Sequence, residues 1–432
     1  MAAMVLGAAR SLGLGAHGAR PSIRSTRATA RAVSNRRVAA TANGGHETRI
    51  FRHGVVSREA SFSTTATMTR RVTRVTTAGA ATLNAPTTSF DDQIAGDGGK
   101  FLRVACYISV WYFLNAVFAI VNKRTLGVFP HFWLLSWTQI GVGAAFTAIT
   151  WRLRAIIAPT KARTNDGDGF RWNRRAIVDL APTSAYHLVA HCTACASYAL
   201  GSVSFFMLVK AAEPACAVLL TSAFFKRRYS KAVWLTMIPI VGGVALGSAS
   251  ELNFSFASFA CAMLSNVASA LRSATSKDAQ ARTGLGGADL YGAMSVVGAI
   301  ALLPVSLVME GGDARGAYVA AKAQMVARDV RLCPGVETAA TPFLVYLLVG
   351  GLLFHLYNQT SYRALGELQP LDISVANAVK RVVIILASVA VLKNPITPLG
   401  GVSAAVAIAG TFAYSLAAQK QCAEEAAAGE AE

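Results

Sequence analysis

Three basic side chains stand in the middle of apolar stretches that are long enough to cross a membrane. Lys210 lies in SVSFFMLVKAAEPACAVLL, and Lys380 and Arg381 lie in DISVANAVKRVVIILASVAVL. A charge at the bilayer centre costs about 2.5–3.5 kcal/mol on insertion scales, so such residues usually face a cavity and mark a substrate path. We therefore expect an anionic ligand to supply the countercharge. The alternative is that Lys210 pairs with Glu213, three residues further on.

The composition is typical of a membrane protein. Of the 432 residues, 53% are hydrophobic and only 15% are charged, whereas a soluble chain carries about 25% charged residues. The apolar residues gather in blocks of about the length that spans a bilayer. Because backbone polar groups must be paired inside lipid, we predict an all-α polytopic membrane protein. The ten predicted spans are 103–122, 130–151, 176–199, 202–225, 231–249, 254–273, 289–309, 341–362, 371–392 and 399–417.

The first ninety residues have a different composition. They contain thirteen Arg, no Lys and only two acids, Glu47 and Glu59. This is the composition of an organelle transit peptide, and we favour the plastid over another organelle. We therefore divide the chain into a transit peptide and disordered linker (1–90), a ten-helix membrane domain (91–420) and a disordered acidic tail (421–432). The high isoelectric point mostly reflects the presequence, so we expect no nucleic-acid partner.

The seven cysteines do not indicate a disulfide framework, because most of them lie within predicted spans and act there as small apolar residues. His191 and Cys192 followed by Cys195 resemble metal-ligand spacing, but one such pattern in a membrane helix is a weak signal. We expect neither a metal nor a cofactor.

The chain contains an internal repeat. Ser204, Val209 and Lys210 match Ser374, Val379 and Lys380, and HCTACASYALG from His191 matches HLYNQTSYRALG from His355. Spans three and four therefore resemble spans eight and nine, and ten spans divide into two halves of five. An odd number of spans per half gives the halves opposite orientations, so the repeat is inverted. A 5+5 inverted repeat with a midplane site is a transporter architecture.

The loop charges agree with this layout. Seven basic residues lie between spans two and three, and four lie between spans four and five, on the side of the N-terminus. The opposite side carries Lys123, Arg124 and a long loop of mixed charge from Glu310 to Glu337. This bias places both termini on the positive side, which we interpret as the organelle interior.

Several strings resemble the plastidic phosphate translocator family of the drug/metabolite transporter superfamily. They are NKRTLGVFPHFW, SVSFFMLVKAAEPA, PIVGGVALGSASELNF, SNVASALRSATSK, FHLYNQTSY, NAVKRVVII and IAGTFAYS, spread from about Asn122 to Gln419. Members exchange inorganic phosphate for phosphorylated sugars or three-carbon acids across the inner plastid envelope. The resemblance implies phosphate binding by His191, Lys210, Arg272, Tyr357, Lys380 and Arg381. In this interpretation the cations neutralise the phosphate, and Tyr357 and His191 donate neutral hydrogen bonds.

Other polar residues of the spans have a structural interpretation. We interpret Glu213 with Pro214 as a kink and helix-end feature, and His187 and His355 as structural residues.

Some positions separate the subgroups of that family. EPACAVLLTS, NQTSY and AGTFAYSLAAQ are most similar to the glucose 6-phosphate subgroup. A Thr that some members place one turn after the His is Ala194 here, so that contact is lost or moves to Thr193. The family's FTH motif is replaced by Phe205, Phe206 and Met207, which removes polar groups near the site.

The sequence thus predicts an antiporter, not an enzyme. A membrane enzyme would need a nucleophile with its base or a carboxylate pair, and the spans contain few acids and no paired spacing. The alternatives in the same superfamily are a phosphoenolpyruvate/phosphate carrier and a nucleotide-sugar carrier. The Arg-rich presequence argues against the second, because such carriers normally belong to the secretory pathway.

Overall fold

The computed structural model describes residues 90–157, 172–328, 342–367, 370–393 and 396–430. These residues form helices, with no strand among them. The helices are α1 (Phe90–Val128), α2 (Phe132–Ile157), α3 (Arg174–Leu200), α4 (Val203–Lys210), α5 (Glu213–Phe225), α6 (Lys231–Ala249), α7 (Phe256–Thr283), α8 (Gly287–Glu310), α9 (Ala314–Ala327), α10 (Phe343–Glu367), α11 (Pro370–Leu392) and α12 (Pro398–Glu430).

Eight stretches of the described chain are long and apolar enough to cross a membrane, which confirms a polytopic helical protein. Helices α3 and α7 are also long enough, with 27 and 28 residues, but they are more polar. These two helices pack against each other and carry His187, His191, Ser269 and Arg272. Most described residues of every predicted span lie in helices, whereas the count of ten membrane crossings stays a prediction.

The fourth predicted span is broken at its centre. Helix α4 ends at Lys210, and α5 begins at Glu213 with Pro214 in its first turn. Proline fits there because it has no amide proton to donate. The break frees backbone carbonyls, and side chains from neighbouring helices bind two of them: Asn266 Nδ2 donates to the Val209 oxygen at 2.8 Å, and Thr411 Oγ1 to the Ala211 oxygen at 3.4 Å. Such replacement partners let a helix break inside a membrane.

The helix contacts follow the inverted repeat. Helix α3 packs on α7 in the same way that its repeat mate α10 packs on α1, and α4 and α5 contact α7 as α11 contacts α1. The pairs α2 with α8, α6 with α12 and α4 with α11 join repeat mates to each other, and α2 packs on α10 as its repeat mate α8 packs on α3. A two-fold exchange of the halves therefore maps the contact pattern onto itself, as the sequence repeat predicts.

Helices α6 and α12 approach closely because glycine lies at their contact. A Cβ added to Gly243 would lie 2.7 Å from the backbone nitrogen of Ala407 and 2.8 Å from the Ser403 oxygen. At Gly410, on the other helix, it would lie 2.9 Å from the backbone nitrogen of Ile240. Small residues allow membrane helices to associate without space for side chains between them. Gly243 therefore acts in packing, whereas a Cβ on neighbouring Gly242 would meet nothing within 4 Å.

Three segments differ from the sequence interpretation. The region from Glu310 to Glu337, predicted as a loop, contains helix α9, which buries Ala317, Ala321 and Met325 on one face. Helix α1 begins at Phe90, the last residue assigned to the linker, and α12 continues through residues 421–430 of the predicted disordered tail. The spacing of small and apolar residues in 317–325 suits a helix that packs on others. The predicted transit peptide (1–89) lies outside the described residues.

Candidate functional site

Lys210 and Arg381 share one carboxylate. Lys210 Nζ lies 3.3 Å from Glu213 Oε2, and Arg381 Nη2 lies 3.4 Å from the same oxygen. Lys210 ends α4 and Glu213 begins α5, so the break in this span places a cation at a helix C-terminus and an anion at a helix N-terminus, where each is favoured. Lys210 Nζ also donates to Ser269 Oγ at 3.1 Å. Pairing of Lys210 with Glu213, the alternative to a ligand as its partner, is therefore present in the structure.

Lys380 lies next to this ion-pair cluster but makes different contacts. Its Nζ donates to Asn377 Oδ1 at 2.9 Å and lies 4.7 Å from the centroid of the Trp111 ring. A cation over an indole face is stabilised by the ring quadrupole. Lys380 is also within electrostatic range of Glu213 and Lys210. We call Lys210, Lys380, Arg381 and Glu213 the cation cluster.

Arg272 connects this cluster to a second group of side chains. It lies three residues after Ser269 on α7, so both residues are on one face of the helix. It is within electrostatic range of Lys210, Lys380 and Glu213. Its Nη1 lies 3.2 Å from His187 Nδ1. Four cations thus surround one carboxylate.

His191 is held by a chain of amides. Its Nε2 lies 2.9 Å from Gln139 Oε1, and Gln139 Nε2 donates to Asn122 Oδ1 at 2.9 Å. Gln139 and Asn122 are fully buried, and the chain joins α1, α2 and α3. The His191 ring packs on Phe354, with 3.9 Å between ring centroids. Gln139 therefore already binds one of the two ring nitrogens of His191 that could contact a substrate.

Tyr357 also packs on Phe354. Its ring centroid is 5.6 Å from Phe354 and 5.2 Å from Phe118. His187 stacks at 6.0 Å on Phe354 and meets Tyr291 edge-on at 5.5 Å. We call His187, His191, Tyr291 and Tyr357 the histidine–tyrosine group, because His187, His191 and Tyr357 all pack on Phe354 and Tyr291 packs on His187.

The structure therefore brings the six predicted site residues into two adjoining groups. Lys210, Lys380 and Arg381 form the cation cluster, His191 and Tyr357 belong to the histidine–tyrosine group, and Arg272 touches one group and acts electrostatically on both. Their status as phosphate ligands stays a prediction.

Sequence reasoning missed several contributors. It treated Glu213 with Pro214 mainly as a helix-end feature, and it considered Glu213 as a partner of Lys210 alone; the second contact, with Arg381, has no local sequence signal because 168 residues separate the two. Trp111, Ser269 and Asn377 also gave no signal. His187 was interpreted as structural, although it lies one helical turn before His191. Thr193 Oγ1 donates to the Val189 oxygen at 2.6 Å, so in this structure it bonds to its own helix.

The chain is similar to known proteins over most of its length. Residues 102–415 match the Triose-phosphate Transporter family. The chain is 36% identical to the chloroplastic xylulose 5-phosphate/phosphate translocator of Arabidopsis thaliana over 74% of its own length and 72% of that protein. It is 33% identical to glucose-6-phosphate/phosphate translocator 2 of the same plant, over 74% and 76% of the two chains.

A third relative is the chloroplastic phosphoenolpyruvate/phosphate translocator 1 of Oryza sativa subsp. japonica, at 31% identity over 74% of each chain. The family predicted from the sequence strings is thereby confirmed. The chain belongs to the triose-phosphate transporter family.

Proposed function

We propose that this chain is an antiporter that exchanges inorganic phosphate for a phosphorylated sugar or three-carbon compound across the inner plastid envelope. The observation that carries the proposal is the charge of the site. Four cations, Lys210, Arg272, Lys380 and Arg381, lie within a bundle of membrane-spanning helices around one carboxylate. A dianionic phosphate offsets most of the remaining positive charge.

The geometry of Arg381 supports a phosphate ligand. Its side chain is buried, one terminal nitrogen contacts Glu213, and the other, Nη1, has no hydrogen-bond partner among the described residues. Buried donors are normally paired, because an unpaired one costs about 1–3 kcal/mol. A planar guanidinium can hold two oxygens of one anion, whereas the ammonium groups of Lys210 and Lys380 act as point charges.

Glu213 gives the empty site a partial countercharge. One carboxylate cannot neutralise four cations, so like charges repel one another when no anion is bound. The repulsion is strong because the surroundings have a low dielectric constant. We infer that an empty carrier resists closing around its site. Movement in each direction then requires a bound anion, which produces exchange instead of net transport.

The relatives indicate a phosphorylated substrate but do not single out one compound. Relatives named for xylulose 5-phosphate, glucose 6-phosphate and phosphoenolpyruvate are 36%, 33% and 31% identical to this chain. These values are too similar to select one subgroup, so the assignment to the glucose 6-phosphate subgroup stays a prediction. We keep the phosphoenolpyruvate/phosphate carrier as the second candidate. The chloroplastic relatives and the Arg-rich presequence support the plastid location.

Purified protein in liposomes loaded with labelled phosphate tests the proposal. External phosphate, triose phosphate, xylulose 5-phosphate, glucose 6-phosphate and phosphoenolpyruvate are offered one at a time, and release of the label is measured. We expect release with phosphate and with at least one phosphorylated sugar or triose, and none with unphosphorylated glucose. Release with no phosphate compound, or chemical conversion of the substrate by the protein, would contradict the proposal and favour another class of function.

A further inference from the structure

The contact between His187 and Arg272 fixes where the proton of His187 lies. Arg272 Nη1 is 3.2 Å from His187 Nδ1. A guanidinium only donates hydrogen bonds and remains protonated in proteins, so His187 Nδ1 is the acceptor. The single proton of the neutral imidazole is therefore on Nε2, on the other side of the ring.

That proton has no acceptor in the part of the chain that the structure describes. His187 is 2% exposed, and its Nε2 is buried without a hydrogen-bond partner among the described residues. The Arg272 Nε atom is also buried without a hydrogen-bond partner among the described residues. Two neighbouring side chains thus each carry an unused buried donor. Native proteins leave few such groups unpaired, and a bound water, ion or ligand can supply the missing acceptor.

The position of His187 separates it from the cation cluster. Its electrostatic neighbours are Arg272, His191 and His355, whereas those of Lys380 are Arg381, Glu213, Lys210 and Arg272. Arg272 is the cation that both sets share. A ligand whose phosphoryl group lies in the cation cluster would extend past Arg272 to reach His187, and the part that reaches it is the organic part.

We propose that His187 determines specificity for the organic part of the phosphorylated substrate. Its Nε2–H donates a hydrogen bond to a hydroxyl or carbonyl oxygen of that part, while the cation cluster holds the phosphoryl group. Inorganic phosphate has no organic part and does not use this bond. The inference rests on the proposed phosphate exchange and adds a residue that discriminates between its two classes of substrate.

A purely structural role would be to orient Arg272. The two roles use different ring nitrogens, so two amide substitutions separate them. In His187→Asn the side-chain oxygen can replace Nδ1 as the acceptor from Arg272, but no donor remains at the place of Nε2. In His187→Gln the longer side chain can put its NH2 group near the place of Nε2. His187→Phe keeps a ring and removes both functions.

The test measures KM in proteoliposomes for inorganic phosphate and for whichever of triose phosphate, xylulose 5-phosphate and glucose 6-phosphate the wild type exchanges fastest. We expect His187→Asn to raise KM for the phosphorylated sugar about tenfold more than KM for phosphate, as the loss of one hydrogen bond of about 1.4 kcal/mol would. In His187→Gln the difference between the two rises in KM should be smaller. In His187→Phe it should be as large as in His187→Asn. His131→Asn is the control, because it makes the same substitution outside the site, at the connection between α1 and α2.

Two results overturn the inference. One is wild-type behaviour of His187→Asn towards both substrates, which shows that the acceptor for Arg272 is all that matters. The other is an equal rise of both KM values in every variant, which assigns His187 to general folding or to the phosphoryl group. Absence of phosphate exchange by the wild type is a separate result, because it removes the proposed function and this assignment together.

Discussion

Arg381 and Lys210 bind the same oxygen of Glu213 from opposite halves of the repeat, at 3.4 and 3.3 Å. The contact joins α11 to the break between α4 and α5. Glu213 is 29% exposed at its side chain, so its charge is only partly shielded by water. The carboxylate therefore couples the two halves when the site holds no anion, and a bound phosphate competes with it for the same cations.

Replacing Glu213 by Gln should destabilise the empty carrier. Removing one partner of a fully buried pair costs about 3–5 kcal/mol, and a smaller loss, about 2 kcal/mol, is expected for a partly exposed carboxylate. Phosphate should restore much of the loss because it supplies the missing charge. Thermal unfolding with and without phosphate measures both effects. Glu424→Gln, which disrupts an exposed contact with Lys420, is the control; an equal fall in Tm with and without phosphate would contradict the shared-countercharge interpretation.

Replacing Lys380 or Arg381 by Ala should nearly abolish phosphate homo-exchange. Truncating one partner of a buried charged contact costs about 2–5 kcal/mol, which corresponds to a loss of about 30-fold or more. Arg381→Lys should fail as well, because a single ammonium cannot contact Glu213 and a phosphate oxygen in one plane. Rates are compared at equal amounts of reconstituted protein, with the exposed Arg227→Ala and Arg228→Ala as controls. Near-normal exchange by both alanine variants would show that the site is elsewhere.

Phosphate itself should stabilise the folded protein. A ligand at 100 times its Kd adds about 2.7 kcal/mol by mass action. We expect phosphate and a transported sugar phosphate to raise Tm in a concentration-dependent manner. Unphosphorylated glucose at the same concentration should leave Tm unchanged, and an equal shift with glucose would exclude a site centred on the phosphoryl group.

Gly243→Ala should destabilise the contact between α6 and α12. Its Cβ would lie 2.7 Å from the Ala407 nitrogen and 3.0 Å from its Cα, which is backbone that cannot move aside cheaply. Overpacking of this kind costs about 1–3 kcal/mol. Gly242→Ala is the matched control, since its Cβ would contact nothing within 4 Å. Thermal unfolding in detergent compares the two, and similar Tm values for both variants would rule out close packing at Gly243.

Deletion of the first 85 residues should leave exchange intact and abolish import. The first described helix, α1, begins at Phe90, and the Arg-rich composition of the segment before it is that of a targeting segment. Truncated protein reconstituted in liposomes should exchange phosphate at the wild-type rate. The same protein made in vitro should not enter isolated plastids. Loss of exchange by correctly inserted truncated protein would assign the segment to the transporter itself.

The sequence predicted those features that local chemistry controls. Apolar blocks gave the helices, Pro214 marked the break, and matching strings gave the repeat and the family. Lys210 and Lys380 were found because a charge in an apolar span is costly enough to be informative.

The remaining features depend on distant parts of the chain. Nothing near Trp111 shows that Lys380 lies over its ring, and nothing near Arg381 shows that Glu213 is within reach. His187 was set aside as structural because its partner Arg272 is 85 residues away. Helix α9 was missed because its 14 residues are too few to cross a membrane, so a search for spans left the region as a loop.

The break at Ala211 and Ala212 has no counterpart in the second half. The positions aligned with Glu213 and Pro214 are Val383 and Ile384, and α11 continues through them. We therefore expect the first half to bend at this break, where Asn266 and Thr411 already bind the free carbonyls. We expect α11 to move as one continuous helix. The two halves are related by the repeat, but they then contribute unequally to the motion that reorients the site. The two faces of the membrane then meet a carrier with different hinges, so substrate affinities measured from the two sides need not agree.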